Sequence, residues 1–169
     1  VSQAGSAVEP DRLRFDFSHL AAVKPEELLE IEDIVNRQIL ASIDVRTRET
    51  TLEKARESGA VALFGEKYGE IVRVVEIPGF SMELCGGTHV TNTSQVGLFK
   101  ITGESAVGAG LRRVEAITGE GVKKYLDEKD RLIDEITAAL KTTDRDLVHR
   151  VKSLLEELKQ KERLLEQLE

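Results

Sequence analysis

The sequence of 169 residues predicts an α+β fold: an antiparallel or mixed sheet with helices on one face, followed by a long helical hairpin of coiled-coil type. Up to Gly121, glycine is frequent and short segments alternate between polar and apolar residues, which is typical of strands and turns. After Gly121, glycine and proline are absent and apolar residues recur at helical spacing. These observations predict two parts, residues 1–121 and residues 122–169.

The first predicted elements are a strand and a helix. Residues 12–17 (RLRFDF) alternate polar and apolar side chains, as a half-buried strand does. Pro25 suits the first position of a helix, because the N–H that proline lacks has no partner there. Glu26 and Glu27 complement the positive end of the helix dipole. The apolar stripe of this helix consists of Leu28, Ile31, Val35 and Ile39.

A second helix and several extended segments follow. Thr50 and Glu53 fit the pattern of a capping box and predict the start of a short helix that ends near Gly59. The segments predicted to be extended are 42–48, 61–64, 70–77, 97–103 and 111–118. Because two helices interrupt these strands, we expect one sheet with helices packed on one face.

The last part of the chain carries two heptad patterns. Thr143 and Asp146 lie between them and resemble a capping box. Each pattern has one lysine at a core position, which specifies register at some cost in stability. The first pattern consists of Val122, Leu126, Lys129, Ile133, Ile136 and Leu140, and the second of Leu147, Val151, Leu154, Leu158, Lys161, Leu165 and Leu168. We expect an antiparallel helical hairpin that serves as a linker or as a dimer arm.

The composition excludes several classes of protein. A net charge of −7 argues against a general phosphate-binding surface, so any contact with nucleic acid must be local. The absence of tryptophan and the aromatic content of 4% argue against a base-stacking platform. No run of 18 apolar residues is present, so we expect no membrane span. The single cysteine cannot form an intrachain disulfide, which fits a cytoplasmic protein.

That cysteine lies in the segment ELCGGTH, residues 83–89. Thiolate and imidazole are strong zinc ligands, and the two glycines between Cys85 and His89 let the backbone turn so that both side chains reach one ion. A single Cys-x-x-x-His is a weak pattern, and a buried free cysteine beside an exposed histidine explains it equally well. Of the other histidines, His19 lies in the same part of the chain and His149 lies in the heptad region.

The surrounding residues resemble the editing region of alanyl-tRNA synthetases. The stretch with this resemblance is SMELCGGTHVTNTSQVGLFKITGESAVGAGLRRVEAITGEGV, and the segments VSQAGSAVEPDRLRFDFSH and ALFGEKYGE share it. The resemblance covers residues 1–121, and residues 122–169 resemble the helical linker that follows in that family. Threonyl-tRNA synthetases carry a related domain.

The resemblance implies a zinc site with four protein ligands. Two are histidines of a His-x-x-x-His helix, and the other two match Cys85 and His89. This sequence has no His-x-x-x-His. We therefore expect an N-terminally truncated editing domain that binds zinc weakly and is inactive by itself. ATP and Mg²⁺ belong to the catalytic domain of the parent ligase, which this sequence lacks.

The resemblance also implies a reaction, the hydrolysis of serine or glycine attached in error to tRNA(Ala), with the tRNA acceptor end as partner. Gln3 matches a pocket glutamine whose amide could bind the serine hydroxyl, and we predict Gln3 and Cys85 as catalytic residues. The residues predicted to bind substrate or tRNA are Thr88, Gly108, Gly110 and Arg112.

Each of these residues also has a purely structural interpretation. Gln3 could be a solvent-exposed residue, Thr88 could stabilise its turn, and the two glycines could simply form a hairpin turn. Arg112 and Arg113 are neighbours on a predicted strand, so their side chains point to opposite faces. Only one of them can face a pocket, and we expect the other to pair with an acidic neighbour.

Two alternative functions remain. One is a free-standing hydrolase that edits mischarged tRNA in trans, against which the missing zinc helix and the heptad tail both argue. The other is a non-catalytic dimerisation or structural module that self-associates through the heptad helices.

Overall fold

The computed structural model describes residues 1–62 and 68–167, and it divides the chain into two compact units, Val1–Val122 and Lys123–Glu169. The strands in the described residues are β1 (Gln3–Val8), β2 (Leu13–Ser18), β3 (Arg46–Thr51), β4 (Ile71–Ile77), β5 (Ser81–Leu84), β6 (Phe99–Gly108) and β7 (Leu111–Thr118). The α-helices there are α1 (Pro25–Leu40), α2 (Leu52–Glu57), α3 (Glu120–Leu140) and α4 (Leu147–Glu166). Short 3-10 turns occupy Thr93–Val96 and Asp144–Asp146.

Four strands of the first unit form an antiparallel sheet in the order β1-β2-β7-β6. In the pairing of β2 with β7, Phe17 lies opposite Arg112 and Asp16 lies opposite Arg113. Because directly opposite residues share a face, Arg112 lies on the face of the buried Phe17, and Arg113 lies on the other face.

Helix α1 lies along the free edge of β6 and supplies the hydrogen bonds that a further strand would make. The Asn36 amide donates to the carbonyl of Phe99 and accepts from its N–H, both at 2.9 Å. One turn earlier, Glu32 accepts from the N–H of Ile101 at 2.7 Å and binds the Lys100 ammonium at 2.8 Å. The two contacts can form together because the spacing of the helix residues matches that of the strand residues. Four residues of helix rise about 6 Å, and two residues of strand span about 6.8 Å.

The other three strands form a separate antiparallel sheet in the order β3-β4-β5. Its core is apolar and includes Ala55 from α2 together with Val72, Val74 and Leu84. Ala55 and Val74 have no exposed surface. Beyond the free edge of β5, Val61 forms an isolated parallel bridge with Glu83.

The α+β class with antiparallel sheets is confirmed, but the prediction of a single sheet with helices on one face is wrong. The strands pair in two sheets, and α1 lies along the free edge of β6 in one of them. The reason is that β2 pairs with β7, which is distant in sequence, so the order of strands is not encoded locally. Strands β1 and β5 were not predicted, and of the predicted segment 61–64, residues 63 and 64 lie outside the described residues.

The second unit contains the two predicted helices, the second of which begins at Leu147. Thr143 does not form a capping box with Asp146, since its hydroxyl donates to the Asp146 carboxylate at 2.9 Å. Leu158 and Leu165 of the second heptad pattern are 55% and 64% exposed. The helices are therefore confirmed, whereas coiled-coil packing between them is not. Leu168 lies outside the described residues. In the described part of the chain, no helix is long and apolar enough to cross a membrane.

Candidate metal-ligand loop

The segment with Cys85 and His89 is a loop that leaves the three-stranded sheet at the end of β5. Leu84 is the last residue of that strand and pairs with Val74 of β4. The next backbone contact is a hydrogen bond from the Cys85 N–H to the Arg73 carbonyl at 3.1 Å. Beyond this point the chain turns away from the sheet, so the position of Cys85 is fixed by a rigid strand pair.

The Arg73 side chain then holds the beginning of the loop. Its Nη1 donates to the Cys85 carbonyl at 3.2 Å and also to the Gly87 carbonyl. A single side chain thus binds two backbone carbonyls that lie two residues apart.

A second set of hydrogen bonds holds the chain after His89. The Asn92 amide donates to the Ser42 carbonyl and to the Asp44 carboxylate, both at 2.9 Å. The buried Thr93 hydroxyl donates to the Gln38 carbonyl at 2.8 Å and accepts from the Ile43 N–H at 2.9 Å. The loop is therefore anchored on both sides, with the two glycines between the anchors.

Within the loop, the two candidate ligand atoms face the same space. A Cβ added to Gly87 would lie 3.5 Å from Cys85 Sγ and 4.0 Å from His89 Nε2. Cys85 is a free, half-buried cysteine, and His89 is exposed. The absence of a side chain at Gly87 leaves room between a thiol and an imidazole.

The donor set fits half of a zinc site. A thiolate and an imidazole occupy two of the four positions that a tetrahedral zinc site needs. Among the described residues, no group of three or more His, Cys, Asp or Glu side chains could hold a metal ion. His19, the other histidine in this unit, binds the Ala21 carbonyl through Nδ1 at 2.7 Å and packs against Phe17. Two further ligands would have to come from outside these residues.

An apolar cavity of about 250 Å³ adjoins the loop. His89 and Val90 form part of its wall. The other walls come mainly from α1, β4 and the segment that leads to the 3-10 turn: Val35, Gln38, Ile39, Val45, Val75, Ile77, Phe80, Thr93 and Val96. The candidate ligand His89 thus lies between solvent and an apolar cavity.

The other predicted site residues, apart from Thr88, belong to the four-stranded sheet. Thr88 is exposed in the ligand loop itself. Gln3 lies on β1, where its amide donates to the Ser6 hydroxyl at 3.0 Å. Gly108 ends β6 and Gly110 lies in the turn before β7, where its positive φ of 73° favours glycine. Within the described residues, no hydrogen bond or ion pair joins Gln3, either glycine or Arg112 to the loop.

The two neighbouring arginines of β7 point to opposite faces, as predicted, but both are paired. Arg112 binds Glu104 through two hydrogen bonds of 2.6 and 2.5 Å, and Arg113 binds Asp16 through two of 2.7 and 2.8 Å. The expected pairing of one arginine with an acidic neighbour is therefore confirmed, and the second arginine is paired as well. The hydrogen bonds from Arg112 hold the pKa of Glu104 below its usual value, and those from Arg113 do the same for the pKa of Asp16.

Residues that shape the loop without binding a metal were not predicted. Arg73 and Asn92 act on backbone groups, and a contact with a backbone carbonyl leaves no pattern of side chains in a sequence. The one available signal for Arg73 was its position in the apolar strand IVRVVEI, where a charged side chain needs a partner.

The arrangement around the loop identifies the class of this domain. Strand β5 leads into the Cys-x-x-x-His loop, and the β-hairpin of β6 and β7 follows it. Residues 72–115, from β4 through the loop into β7, match the family model described as threonyl and alanyl tRNA synthetase second additional domain.

Over 168 residues, 99% of its length, the chain is 56% identical to the alanine–tRNA ligase of Desulforamulus reducens and 55% identical to that of Acetivibrio thermocellus. Over 156 residues, 92% of its length, it is 57% identical to the alanine–tRNA ligase of Pelotomaculum thermopropionicum. The chain spans 18–19% of the length of these curated relatives. The chain is therefore similar over nearly its whole length to one segment of these alanine–tRNA ligases, the family that its motifs resemble.

Proposed function

We propose that this chain is the part of an alanyl-tRNA synthetase that removes wrongly attached amino acids from tRNA(Ala). The observation that carries the proposal is the convergence of Cys85 Sγ and His89 Nε2 on the space beside Gly87, within the segment that matches the second additional domain. The substrates are seryl- and glycyl-tRNA(Ala), and the reaction is hydrolysis of the ester bond. The acceptor end of the tRNA is the partner, and the cytoplasm is the location.

The chemical need for such a reaction follows from the similarity of the amino acids. Serine exceeds alanine by one hydroxyl, and an apolar pocket rejects such an addition only by about 100-fold. Glycine is smaller than alanine and fits any pocket that accepts alanine. A second site that destroys the wrong product supplies the missing discrimination.

Cys85 and His89 would provide two of the ligands of a zinc ion. The ion, when bound, would act as a Lewis acid that activates a water molecule or binds the polar groups of the substrate. The two remaining ligands would come from outside the described residues. We therefore expect the chain alone to bind zinc weakly, and addition of a His-x-x-x-His helix upstream to raise the affinity by orders of magnitude. Stoichiometric zinc in the chain after treatment with a chelator would contradict this expectation.

The other site residues would position the substrate. The Gln3 amide and the Thr88 hydroxyl could bind the serine hydroxyl, and Gly108 and Gly110 would let the acceptor end approach the backbone closely. Arg112 could bind a phosphate only by sharing or leaving Glu104, because that carboxylate occupies its guanidinium in two hydrogen bonds. ATP and Mg²⁺ would serve the aminoacylation reaction in other parts of a complete ligase.

The test is the substitution Cys85→Ala in a complete ligase. We expect Ser-tRNA(Ala) to accumulate while activation of alanine continues, because the substitution removes a ligand of the editing site only. Glu83→Ala is the matched control, since Glu83 is exposed on β5, two residues before Cys85, and its side chain contacts Ser81. Equal loss of both activities would point to general misfolding, and a Cys85→Ala enzyme that still clears Ser-tRNA(Ala) would contradict the proposed role of the site.

A second proposal concerns the helical unit. The exposure of Leu158 and Leu165 favours burial of the heptad faces by coiled-coil pairing, within one chain or between two. Size-exclusion chromatography with light scattering separates these cases. A dimer that Leu158→Asp dissociates would support a dimerisation module, and a monomer at every concentration would exclude it.

A further inference from the structure

The pair of Cys85 and His89 depends on a loop that has no intrinsic shape. Two consecutive glycines, Gly86 and Gly87, separate the cysteine from Thr88, and glycine has the largest conformational freedom of any residue. The three residues between Cys85 and His89 therefore do not by themselves fix the positions of Sγ and Nε2. A contact from outside the loop must select this conformation.

We propose that Arg73 is the positioning residue of this pair: its guanidinium holds the two carbonyls of the loop so that the ligand atoms face one space. The inference rests on the proposed function in so far as the pair is a metal site. Arg73 itself binds neither metal nor substrate in this proposal.

The position of Arg73 in the sheet makes this role possible. It precedes Val74, so it lies opposite Cys85, at the last contact between β4 and the chain that continues from β5. The carbonyls of Cys85 and Gly87 have left the strand ladder, and Arg73 Nη1 donates to both. Because one nitrogen binds carbonyls two residues apart, the chain must curl around the guanidinium.

Gly87 supplies the space that this curl creates. The side of Gly87 that would carry a Cβ faces Cys85 Sγ at 3.5 Å and His89 Nε2 at 4.0 Å. Arg73 binds the carbonyl of the same residue. The arginine therefore fixes the orientation of the Gly87 carbonyl, and with it the direction in which the side of Gly87 without a Cβ faces the two ligand atoms.

The charge of Arg73 is available for this contact. Within the described residues, no carboxylate lies within ion-pair distance of Arg73, whereas Arg112 and Arg113 are each bound to one. A planar guanidinium offers several donors in a fixed geometry, and a lysine ammonium offers a charge without that plane. Replacement by lysine should therefore retain part of the effect, and replacement by glutamine should retain little.

The first test needs no metal. One α-proton of Gly87 points along the direction of the missing Cβ, toward the His89 ring, whose Nε2 lies 4.0 Å from that Cβ position. In the metal-free chain we expect a nuclear Overhauser effect between this proton and the His89 ring. It should persist in Arg48→Gln, disappear in Arg73→Gln and weaken in Arg73→Lys. Arg48 is the matched control, because it lies in the same sheet and contacts Ser58 and Met82.

The second test uses Cd²⁺ alone, whose bond to a thiolate gives a charge-transfer absorbance. We expect Arg73→Gln to weaken binding by about 10- to 100-fold, the usual cost of losing a group that orients a metal ligand. Arg48→Gln should bind as the unchanged chain does, and Cys85→Ser should abolish the absorbance. If Arg73→Gln fails to fold by circular dichroism, Arg73→Lys carries both tests, with a several-fold loss of affinity.

The outcomes separate the two proposals. If the chain and Cys85→Ser respond to Cd²⁺ alike, the metal site is wrong, and the Overhauser effect still tests the role of Arg73. If Cd²⁺ binds through Cys85 but both Arg73 variants bind as tightly as the unchanged chain and keep the Overhauser effect, the role of Arg73 is overturned while the metal site stands.

Discussion

In the three-stranded sheet, the central residue Val74 is completely buried among apolar side chains, whereas the central strand β7 of the four-stranded sheet carries two adjacent arginines. One sheet is stabilised mainly by removal of apolar surface from water. The other also buries apolar residues, Phe17, Ile101 and Ala116, but it carries in addition matched charges and side chains that complete a strand edge. The two sheets therefore differ in what can destabilise them.

This difference bears on the candidate site. The loop with Cys85 and His89 leaves the apolar sheet, so an apolar core supports the side of the loop that carries Cys85. The predicted tRNA-binding residues Gly108, Gly110 and Arg112 belong to the sheet with ion pairs. Acid should therefore weaken the proposed tRNA-binding surface before it weakens the support of the ligand loop.

The largest effect should come from Val74→Ala in the apolar sheet. The substitution removes two buried carbons from a fully buried position and leaves a cavity, so we expect the free energy of unfolding to fall by about 2 to 3 kcal/mol. Ile71→Ala is the control, because Ile71 lies on the same strand and is 62% exposed. Denaturant unfolding measures both. Equal losses for the two variants would show that burial does not distinguish these positions.

The next effect should come from Asn36→Ala at the edge of the four-stranded sheet. The variant leaves both backbone groups of Phe99 without their partner, so we expect a loss of about 1 to 2 kcal/mol. Amide exchange at Phe99 should also accelerate. Glu30→Ala on the exposed side of α1 should leave both measurements unchanged. If exchange at Phe99 does not respond, α1 does not protect this edge.

A smaller effect, about 1 kcal/mol at neutral pH, is expected for Asp16→Asn, which weakens the contact with Arg113. The contact also makes stability depend on pH. Because the folded-state pKa of Asp16 is lowered, the unfolded chain binds more protons between the two pKa values, so stability falls as the pH falls. The contribution is complete above the unfolded pKa of about 4 and is lost as the pH drops through the folded pKa.

The prediction for Asp16 is checked by measuring how the free energy of unfolding changes with pH in two variants. The variant Asp16→Asn should lose less stability between about pH 5 and pH 3 than the unchanged chain, because one of the titrating groups is gone. Asp33→Asn replaces an exposed aspartate on α1 and should leave the pH dependence as it is. Parallel curves for Asp16→Asn and the unchanged chain would show that this ion pair does not stabilise the folded state.

The sequence predicted the elements that carry a local signal. Helix α1 begins at Pro25, and strand β7 covers residues 111–118 as expected. Strand β1 was missed because its residues, QAGSAV, are mostly small and show no clear alternation, and β5 was missed because it has four residues. The division into two sheets was not predictable, since the partners of β2 and β7 are distant in sequence.

The candidate site shows the same limit. The approach of Cys85 to His89 was predictable only in part, because their spacing and the two glycines between them permit a tight turn but do not impose it. The anchors Arg73 and Asn92 were not, because they bind backbone carbonyls, which every residue has. The separation of Gln3 and Arg112 from the loop depends on which sheet their strands join.

The smallest effect concerns the start of α2, which supplies Ala55 to the apolar core. The capping pattern predicted Thr50 as the cap, but Thr50 lies in β3 opposite Val72, and Thr51 accepts the hydrogen bond from the Lys54 N–H at 3.4 Å. Because this contact is long, we expect Thr51→Ala to cost about 0.5 kcal/mol, at the low end for a cap. Thr50→Ala, measured in the same denaturant titration, should not change the helical circular dichroism signal. If Thr50→Ala lowered the stability and the helical signal more than Thr51→Ala, Thr50 would be the cap, and α2 would begin one residue earlier.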